Sequence, residues 1–296
     1  MNPRSEPYFI VLVAAGFFGV LLSSSMWDDV ADAAEQTSSE EQSKNPKSDI
    51  PSVSEDRPAQ KAMKQLAKQS IFTVDATDKK PAVPMTLRKN PLLRYGDETR
   101  DIKDSTLWVW MTGDVPSLFQ KIEVNEWPGN PSWTWCFANA TSDSVRCEWQ
   151  NIANSRTAQP VASSPVPGKQ KTEGNETTWK FTARQINRQF TATAALEKNV
   201  LRPMPHPLLE FSAEEENILY GAVFAYATGT NPDFLLILQL EKKADTMLWT
   251  YRPIHMTSVH VTLNHNDVQV WHEGDQKANE VSTWGYFFSP RDAAIK

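Results

Sequence analysis

The stretch Asn90–Tyr95 reads NPLLRY, and 116 positions later the stretch His206–Phe211 reads HPLLEF. Sliding the sequence against itself by that distance aligns residues 63–145 with 179–261 without a gap and gives 18 identities in 83 positions. Unrelated stretches of this composition would share roughly five. Aromatic positions are kept even where the residue differs, which is expected when burial is retained and side-chain shape drifts. The sequence therefore predicts one structural unit present twice.

Each unit opens with apolar residues at helical spacing, at 63, 66, 67 and 71 and again at 179, 183, 186 and 190. Four apolar and β-branched runs follow, at 107–111, 118–124, 133–137 and 145–149, and then at 221–227, 234–240, 248–251 and 258–263. Connections this short favour antiparallel pairing. We therefore predict an α+β fold, a tandem duplication of a helix followed by a four-stranded antiparallel sheet, with an extra pair of strands near 268–271 and 284–288.

The amino terminus carries an export signal. Residues 9–22 form an unbroken apolar or glycine run that Arg4 precedes and acidic residues follow. This pattern predicts an N-terminal hydrophobic helix within residues 1–27, either a cleaved signal peptide or an uncleaved signal anchor. Because positive charge stays on the cytoplasmic side, the body is expected outside the cytoplasm. The protein is then a single-pass cell-membrane protein, or periplasmic or secreted if the leader is cleaved.

Composition sets the remaining boundaries. Residues 28–60 offer almost nothing to bury and are predicted to be a disordered tether. The first repeat spans 61–149, a Ser/Pro-rich linker spans 150–174, and the second repeat with extra C-terminal strands spans 175–290. The 30 basic and 36 acidic residues leave a net charge of −6 without a long basic run. Nucleic acid is therefore not expected as a partner.

The two cysteines fall on the arms of a predicted hairpin over residues 133–149. Cys136 and Cys147 lie at equal distances from the turn at Thr141 and Ser142. Outside the cytoplasm this arrangement favours a disulfide, with two unpaired thiols as the alternative. The second unit has Arg252 at the position of Cys136, so the hairpin is not expected to depend on the bond.

Several stretches carry a resemblance to a known family: Asn90–Tyr95, Leu107–Trp110, the Leu-Arg-Pro sequence from Leu201, and Gly221–Tyr226 leading into Asn231, Pro232 and Asp233. Over roughly residues 88–271 the chain resembles an uncharacterised family of exported proteins of planctomycete bacteria. The resemblance implies export and supports the unit boundaries. Its motifs are structural, so it implies no activity and no catalytic residue.

Motifs that carry chemistry are absent from the sequence: there is no phosphate-binding loop, no nucleophile elbow and no zinc-binding pair. We therefore expect no cofactor and name no catalytic residue. Four histidines, His255, His260, His265 and His272, lie close together in the sequence. Their steps match neither helix nor strand period, so surface histidines are expected rather than a metal site. The acidic run 214–216 and the pair Glu123 and Glu126 are interpreted as turn residues rather than paired catalytic carboxylates.

Two functional classes stay open. The leading one is a non-catalytic envelope protein, structural or binding another protein, a peptide or a glycan, with its leader in the membrane. For a glycan we expect exposed stacking residues at element ends, namely Trp127, Trp149 and Trp179. The alternative is an envelope hydrolase with a site between the two lobes, using residues such as His255, Asp233 and Glu216.

Overall fold

The computed structural model describes residues 58–77, 81–126, 131–150, 152–168, 174–195, 199–244 and 246–290. The predicted leader and nearly all of the predicted tether lie outside these residues. Within the described ranges, no helix is both long and apolar enough to cross a membrane.

Two helices and nineteen strands make up the described part of the chain. The helices are α1 (Pro58–Gln69) and α2 (Glu176–Asn187). The strands before α2 are β1 (Ser70–Val74), β2 (Val83–Pro84), β3 (Thr86–Leu87), β4 (Leu93–Asp97), β5 (Ile102–Thr112), β6 (Val115–Asn125), β7 (Ser132–Asn139), β8 (Val145–Trp149), β9 (Ile152–Ala158) and β10 (Ser164–Pro165). Those after α2 are β11 (Phe190–Ala194), β12 (Asn199–Pro203), β13 (Leu209–Ala213), β14 (Ile218–Ala227), β15 (Pro232–Lys243), β16 (Thr246–His255), β17 (Val261–His265), β18 (Val268–Glu273) and β19 (Trp284–Pro290).

The predicted α+β fold class is wrong. Strands hold 57% of the described residues and helical turns 14%, so the described part of the protein is mostly β, with a sheet that curls into a half-barrel. The pattern was misleading because each helix is a single short element against sheets that also recruit segments outside the predicted runs. The predicted linker 150–174, for example, contains β9 and β10.

The predicted four-stranded meander is also wrong. β5, β6 and β7 pair in succession, but β8 leaves this sheet and pairs with β1 and β9. In the same way β14, β15 and β16 pair in succession, but β17 pairs with β11 and β18 rather than with β16. Periodicity marks where a strand lies, but it does not specify the partner that the strand finds.

The strands form three sheets. One has six strands in the order β19-β7-β6-β5-β3, with β4 also on β5. Another has four in the order β2-β1-β8-β9. The largest has nine in the order β10-β16-β15-β14-β12-β11-β17-β18, with β13 on β14. The strand β12 pairs with both β14 and β11, so it joins their two groups of strands into one sheet. In the first half this role is divided: β2 pairs with β1 and β3 pairs with β5, on either side of Met85, and the two sheets stay separate.

The same pairing order occurs twice. The order β2-β1-β8-β9 of the first half (α1 to β9) returns as β12-β11-β17-β18 in the second half (α2 to β18). A 3-10 turn precedes β5 at Glu98–Arg100 and β14 at Glu214–Glu216, and each ends on a left-handed residue, Asp101 or Asn217. What repeats is therefore a pattern of strand pairing rather than a helix with four strands. The predicted domain boundaries stay predictions.

The segment after each half adds an edge strand to the sheet of the other half. After the first half, β10 pairs with β16, with Ser164 opposite Tyr251 and Pro165 opposite Thr250. After the second half, β19 returns to pair with β7, and Phe288 lies opposite Thr134. Thr134 and Thr250 are 116 positions apart, so the two added strands dock at equivalent places. The halves are thus interlocked by reciprocal exchange.

Three buried clusters explain why the central strands are apolar on both faces. Alternate residues of β5 face different clusters: Trp108 and Trp110 pack with α1, whereas Leu107 and Val109 pack between the halves. The second half follows the same rule. The cluster between the halves takes residues from both, including Phe119 and Leu235. This burial from two sides stabilises the fold mainly through the hydrophobic effect.

The predicted disulfide does not form, and Cys136 and Cys147 are both free and buried. The hairpin that was to bring them together does not exist, since β7 belongs to the six-stranded sheet and β8 to the four-stranded one. Cys136 lies opposite Lys121 and Tyr286 on its neighbouring strands. Cys147 lies in the core beneath α1. Burial raises the pKa of both thiols.

Candidate functional site

A pocket of about 180 Å³ lies where the six-stranded sheet meets the turns of the second half. We call it the Lys121 pocket. Lys121 and Glu123 on β6 and Cys136 on β7 form its floor, and Asn231 and Met256 come from the second half. Since alternate residues of a strand share a face, 121 and 123 point to the same side of β6. The pocket therefore brings two ionisable side chains of one strand together on the same face of the sheet.

Lys121 is only 2% exposed, and its ammonium group ties the halves together. Its Nζ donates to Asn231 Oδ1 at 2.7 Å and to the carbonyl oxygen of Met256 at 2.8 Å. An ammonium has three donors, so these bonds leave one N–H directed elsewhere. A buried charge is tolerated only with such partners.

Glu123 is the second buried charge of the pocket and is 6% exposed. Its Oε1 accepts from the Tyr95 hydroxyl at 2.8 Å and from Asn231 Nδ2 at 3.4 Å. Burial, and then the negative charge of Glu123, raise the pKa of Tyr95. Tyr95 is therefore a neutral phenol that donates to the carboxylate. Burial and the same carboxylate raise the pKa of the Cys136 thiol, which stays protonated.

A bidentate ion pair closes one side of the pocket. Arg100 donates to both carboxylate oxygens of Asp233, at 2.6 and 3.0 Å, and Asp233 is 1% exposed. Burial works against the charge on Arg100, but the hydrogen bond and the charge of Asp233 outweigh it, so the pKa of Arg100 is raised. Thr230 Oγ1 also donates to the carbonyl oxygen of Gly96 across the same junction. These contacts fix the turn before β15 against the first half.

Three aromatic rings of β19 line the mouth of the pocket. Trp284, Tyr286 and Phe288 alternate along the strand and all contribute to the lining. Neighbouring ring centroids are 5.0 Å apart between Trp284 and Tyr286 and 5.6 Å apart between Tyr286 and Phe288. Exposure rises along the series from 2% at Trp284 to 44% at Phe288. The rings form a ladder that leads from the protein interior to its surface.

Two buried ring nitrogens at the inner end of the ladder have no hydrogen-bond partner within the described residues. They are Trp284 Nε1 and His255 Nδ1, and the two rings are 5.8 Å apart between centroids. The Nε2 of His255 lies 2.8 Å from the carbonyl oxygen of Val259, so it carries the proton and Nδ1 is an acceptor. Burial lowers the pKa of His255 to about 4, with Lys121 contributing to the lowering. The imidazole is therefore neutral near pH 7.

A second pocket of about 410 Å³ occupies the equivalent junction, and we call it the Arg252 pocket. Four residues of its lining lie 116 positions after residues of the Lys121 pocket: Glu216, Gln239, Glu241 and Arg252 correspond to Arg100, Glu123, Asn125 and Cys136. Thr141 and Ser142 likewise replace Thr257 and Ser258. No aromatic side chain of the described residues lines it, because β10 occupies the edge that β19 occupies in the first half.

The tryptophans predicted to stack on a ligand are not brought together. Trp127 lies outside the described residues. Trp149 is 5% exposed and packs edge-on against Phe72 and Phe287 in the core. Trp179 is half-buried on α2 and lines a separate groove beside Tyr220.

The residues named for a hydrolase are divided. Asp233 and His255 lie close together at the ends of the paired strands β15 and β16, while Glu216 lines the Arg252 pocket. None of the three lines the Lys121 pocket. The expectation of surface histidines is wrong for His255 and His265, which are 1% and 5% exposed. No group of metal-binding side chains gathers within the described ranges.

Sequence reasoning missed the Lys121 pocket. A signal was present, because Lys121 and Glu123 are charged residues within a strand pattern, and their counterparts in the second half, Ile237 and Gln239, carry no charge. Charged residues within a strand buried on both faces indicate a junction or a site. Comparison with models of known families, with curated proteins and with solved structures gives no significant match. The resemblance to exported planctomycete proteins stays a prediction.

Proposed function

We propose that the protein is a non-catalytic, exported binding protein and that the Lys121 pocket holds its ligand. One observation carries this proposal: buried charges that bridge the two halves form the floor of a pocket whose mouth is a ladder of aromatic rings. Concave sites with aromatic walls and a few fixed polar groups are typical of ligand binding.

The polar groups of the pocket are suited to holding a ligand rather than to breaking a bond. Two donors of Lys121 and one oxygen of Glu123 are already engaged in contacts between the halves. A raised pKa leaves the Cys136 thiol a poor nucleophile. His255 is neutral, and its Nε2–H donates a hydrogen bond to the carbonyl oxygen of Val259. An activated nucleophile would need a base in hydrogen-bond reach, which these pairings do not supply.

The proposal that the protein is exported rests on the sequence. The apolar run 9–22 with Arg4 before it favours a leader, cleaved or retained, with the body outside the cytoplasm. Partners outside the cytoplasm are envelope proteins, peptides and glycans. A retained leader would anchor the binding domain to the membrane.

Sedimentation with insoluble bacterial envelope material tests the proposal. The purified full chain is expected to sediment with the material without releasing soluble fragments, and Tyr286→Ala is expected to reduce the bound fraction. Phe181→Ala is the matched control, because Phe181 is a 60% exposed ring on α2 outside the pocket. Failure to sediment would contradict the proposal, as would fragment release that Glu123→Gln abolishes.

A further inference from the structure

We infer that the Lys121 pocket binds a neutral, hydroxyl-rich ring, the end residue of a glycan, with the ring ladder of β19 as its stacking surface. The inference rests on the proposed binding function and names the ligand class. Four observations carry it: the ladder, the pairing of the charged groups, an unpaired donor and the contrast with the Arg252 pocket.

The ladder offers the apolar surface that a sugar ring needs. A pyranose has C–H groups on its faces and hydroxyls at its edge, so it combines an aromatic contact with polar contacts around it. Tyr286 and Phe288 lie at the mouth with their centroids 5.6 Å apart. Phe288 is 44% exposed, so its ring is accessible to a ligand that lies beside Tyr286. Amphipathic aromatic side chains suit such mixed surfaces.

The charged groups of the lining already have partners in the protein. Arg100 pairs with Asp233 and with Asp97, and Lys121 and Glu123 each take part in hydrogen bonds. A charged ligand would lose its hydration without meeting an unpaired charge of opposite sign. Hydroxyl groups avoid this cost, because each one both donates and accepts. Thr257 and Ser258 add hydroxyls to the same lining.

Trp284 supplies a donor that the fold itself does not use. The side chain is 2% exposed and lines the pocket, and its Nε1 has no hydrogen-bond partner within the described residues. Buried indole N–H groups usually have a partner; Trp149 and Trp249 also lack one within the described residues, but neither lines this pocket. A small movement of the Trp284 ring would let its Nε1, which is closed to solvent in the free protein, donate to a ligand hydroxyl at the inner end of the pocket. The volume of about 180 Å³ suits a single ring, since a cavity of about 150 Å³ holds a benzene molecule.

The Arg252 pocket serves as an internal comparison. It occupies the equivalent junction and has a larger volume, about 410 Å³, but no ring of the described residues lines it. The equivalent edge strand there is β10, with Ser164 and Pro165 in place of Phe287 and Phe288. Aromatic side chains have thus been gathered at one of two equivalent junctions. Packing of the repeated sheets alone would not require that difference.

The test measures binding of a panel of sugars to the full chain by ligand-observed NMR. Neutral probes are glucose, galactose, mannose and N-acetylglucosamine with their disaccharides, and charged probes are glucosamine and glucuronic acid. We expect saturable binding of at least one neutral probe, strengthened in the disaccharide, and weakened about tenfold by Tyr286→Ala. Phe181→Ala is expected to leave it unchanged.

Trp284→Phe separates a binding role from a structural one. It keeps a ring in place but removes the indole N–H, which has no partner to lose in the free protein. Trp284 is buried in the cluster between the halves, so the smaller ring leaves a void and we expect some loss of thermal stability, together with weaker binding of the neutral sugar. Unchanged affinity would overturn the role of Trp284.

The outcomes distinguish the inference from the proposed function. Binding to charged probes alone, or neutral-sugar binding that Tyr286→Ala does not weaken, would overturn the inference. If envelope binding depends on Tyr286 but no neutral probe binds or competes, the binding function holds and the sugar assignment fails. If envelope binding is absent altogether, the proposed function fails with it.

Discussion

Lys121 and Arg252 donate to backbone carbonyls that occupy equivalent places in the two halves. Lys121 Nζ reaches the carbonyl oxygen of Met256 at 2.8 Å, and Arg252 Nη1 reaches that of Ala140, 116 positions earlier. The two cations themselves are not equivalent. Lys121 lies opposite Cys136 on the neighbouring strand, whereas Arg252 lies opposite Ile237. The cation lies on the middle strand β6 in the first half and on the next strand, β16, in the second half, but in both halves it donates to an equivalent backbone carbonyl.

Moving the cation of the first half from β6 to β7, by combining Lys121→Ile with Cys136→Arg, is therefore expected to cost less stability than the two substitutions cost separately. Lys121→Ile leaves Asn231 and the Met256 carbonyl without their donor and should lower the free energy of unfolding by about 2 to 4 kcal/mol. Cys136→Arg alone places a second cation beside Lys121 and should also destabilise. Together they reproduce the arrangement of the second half. Urea unfolding should show the double variant at least about 1 kcal/mol more stable than the sum of the single effects.

The control for this cycle is Lys103→Ile. Lys103 is 65% exposed and pairs with Glu126 on the surface, so its loss should cost less than about 1 kcal/mol. If the effects of Lys121→Ile and Cys136→Arg on the free energy of unfolding are strictly additive, the equivalence of the two junctions does not extend to their stability.

The buried His255 should make the protein less stable in mild acid. Burial lowers its pKa to about 4, and Lys121 adds to this, while the Val259 carbonyl, Asp233 and Asp275 act in the opposite direction. In the unfolded chain a histidine takes up its proton near pH 6.5. The unfolded state therefore binds more protons between these values, and stability should fall by about 3 kcal/mol as the pH drops from about 6.5 to 4.

Urea unfolding at pH 7 and pH 4.5 measures this effect. His255→Gln, which does not titrate, should lose less stability between the two pH values than the wild type does. His206→Gln, at an exposed position, is the matched control and should keep the wild-type difference. An identical pH dependence in wild type and His255→Gln would be incompatible with a buried neutral imidazole.

The two thiols should be inert in the folded protein. Cys136 is 4% exposed and Cys147 is fully buried, and burial raises the pKa of both. Because the thiolate is the reactive form, a thiol reagent at pH 8 should react slowly with the native protein. Two equivalents should react after unfolding without reductant, and one in Cys147→Ala. Loss of both thiols in the unfolded, unreduced protein would mean that a disulfide had formed.

Local pattern located the long central strands but not the short strands that precede them. The predicted runs at 107–111, 118–124 and 234–240 all lie within the strands β5, β6 and β15. These strands are buried on both faces, so their apolar character is continuous and easily recognised. The predicted run at 145–149 coincides with β8.

The helices show where an ungapped comparison fails. Met63, Leu66 and Ala67 are the buried residues of α1, and Ala183, Ile186 and Asn187 are those of α2, which is an offset of 120 rather than 116. Ile71 and Phe190, predicted as the last helical positions, lie in β1 and β11 instead. A shift of four residues is about one helical turn, so the apolar spacing alone does not reveal it.

Strand partners could not be read from the sequence. Trp284–Pro290 has a clear strand pattern, but nothing in it indicates that it pairs with β7, about 150 residues earlier in the chain. The Lys121 pocket depends on that pairing, since β19 supplies all three rings of its mouth. The site was therefore out of reach of a local analysis, even though its charged residues were visible.

The return of β19 to the first half is the central structural claim, and one cross-link tests it. Tyr286 lies directly opposite Cys136 on β7. The carbonyl oxygen of Tyr286 points away from β7 and accepts a hydrogen bond from the Asn279 N–H. Tyr286 and Cys136 are therefore a non-hydrogen-bonded pair of the antiparallel ladder, in which the two side chains are close. In a Cys147→Ala background, the thiol introduced by Tyr286→Cys should bond to Cys136 on mild oxidation. Ser289→Cys, whose side chain points to the other face of β19, should not. Peptide mapping that joins β7 to β19 in the first variant alone is the predicted result. Absence of that link, or an equal link from Ser289→Cys, would contradict the interlocked arrangement of the two halves.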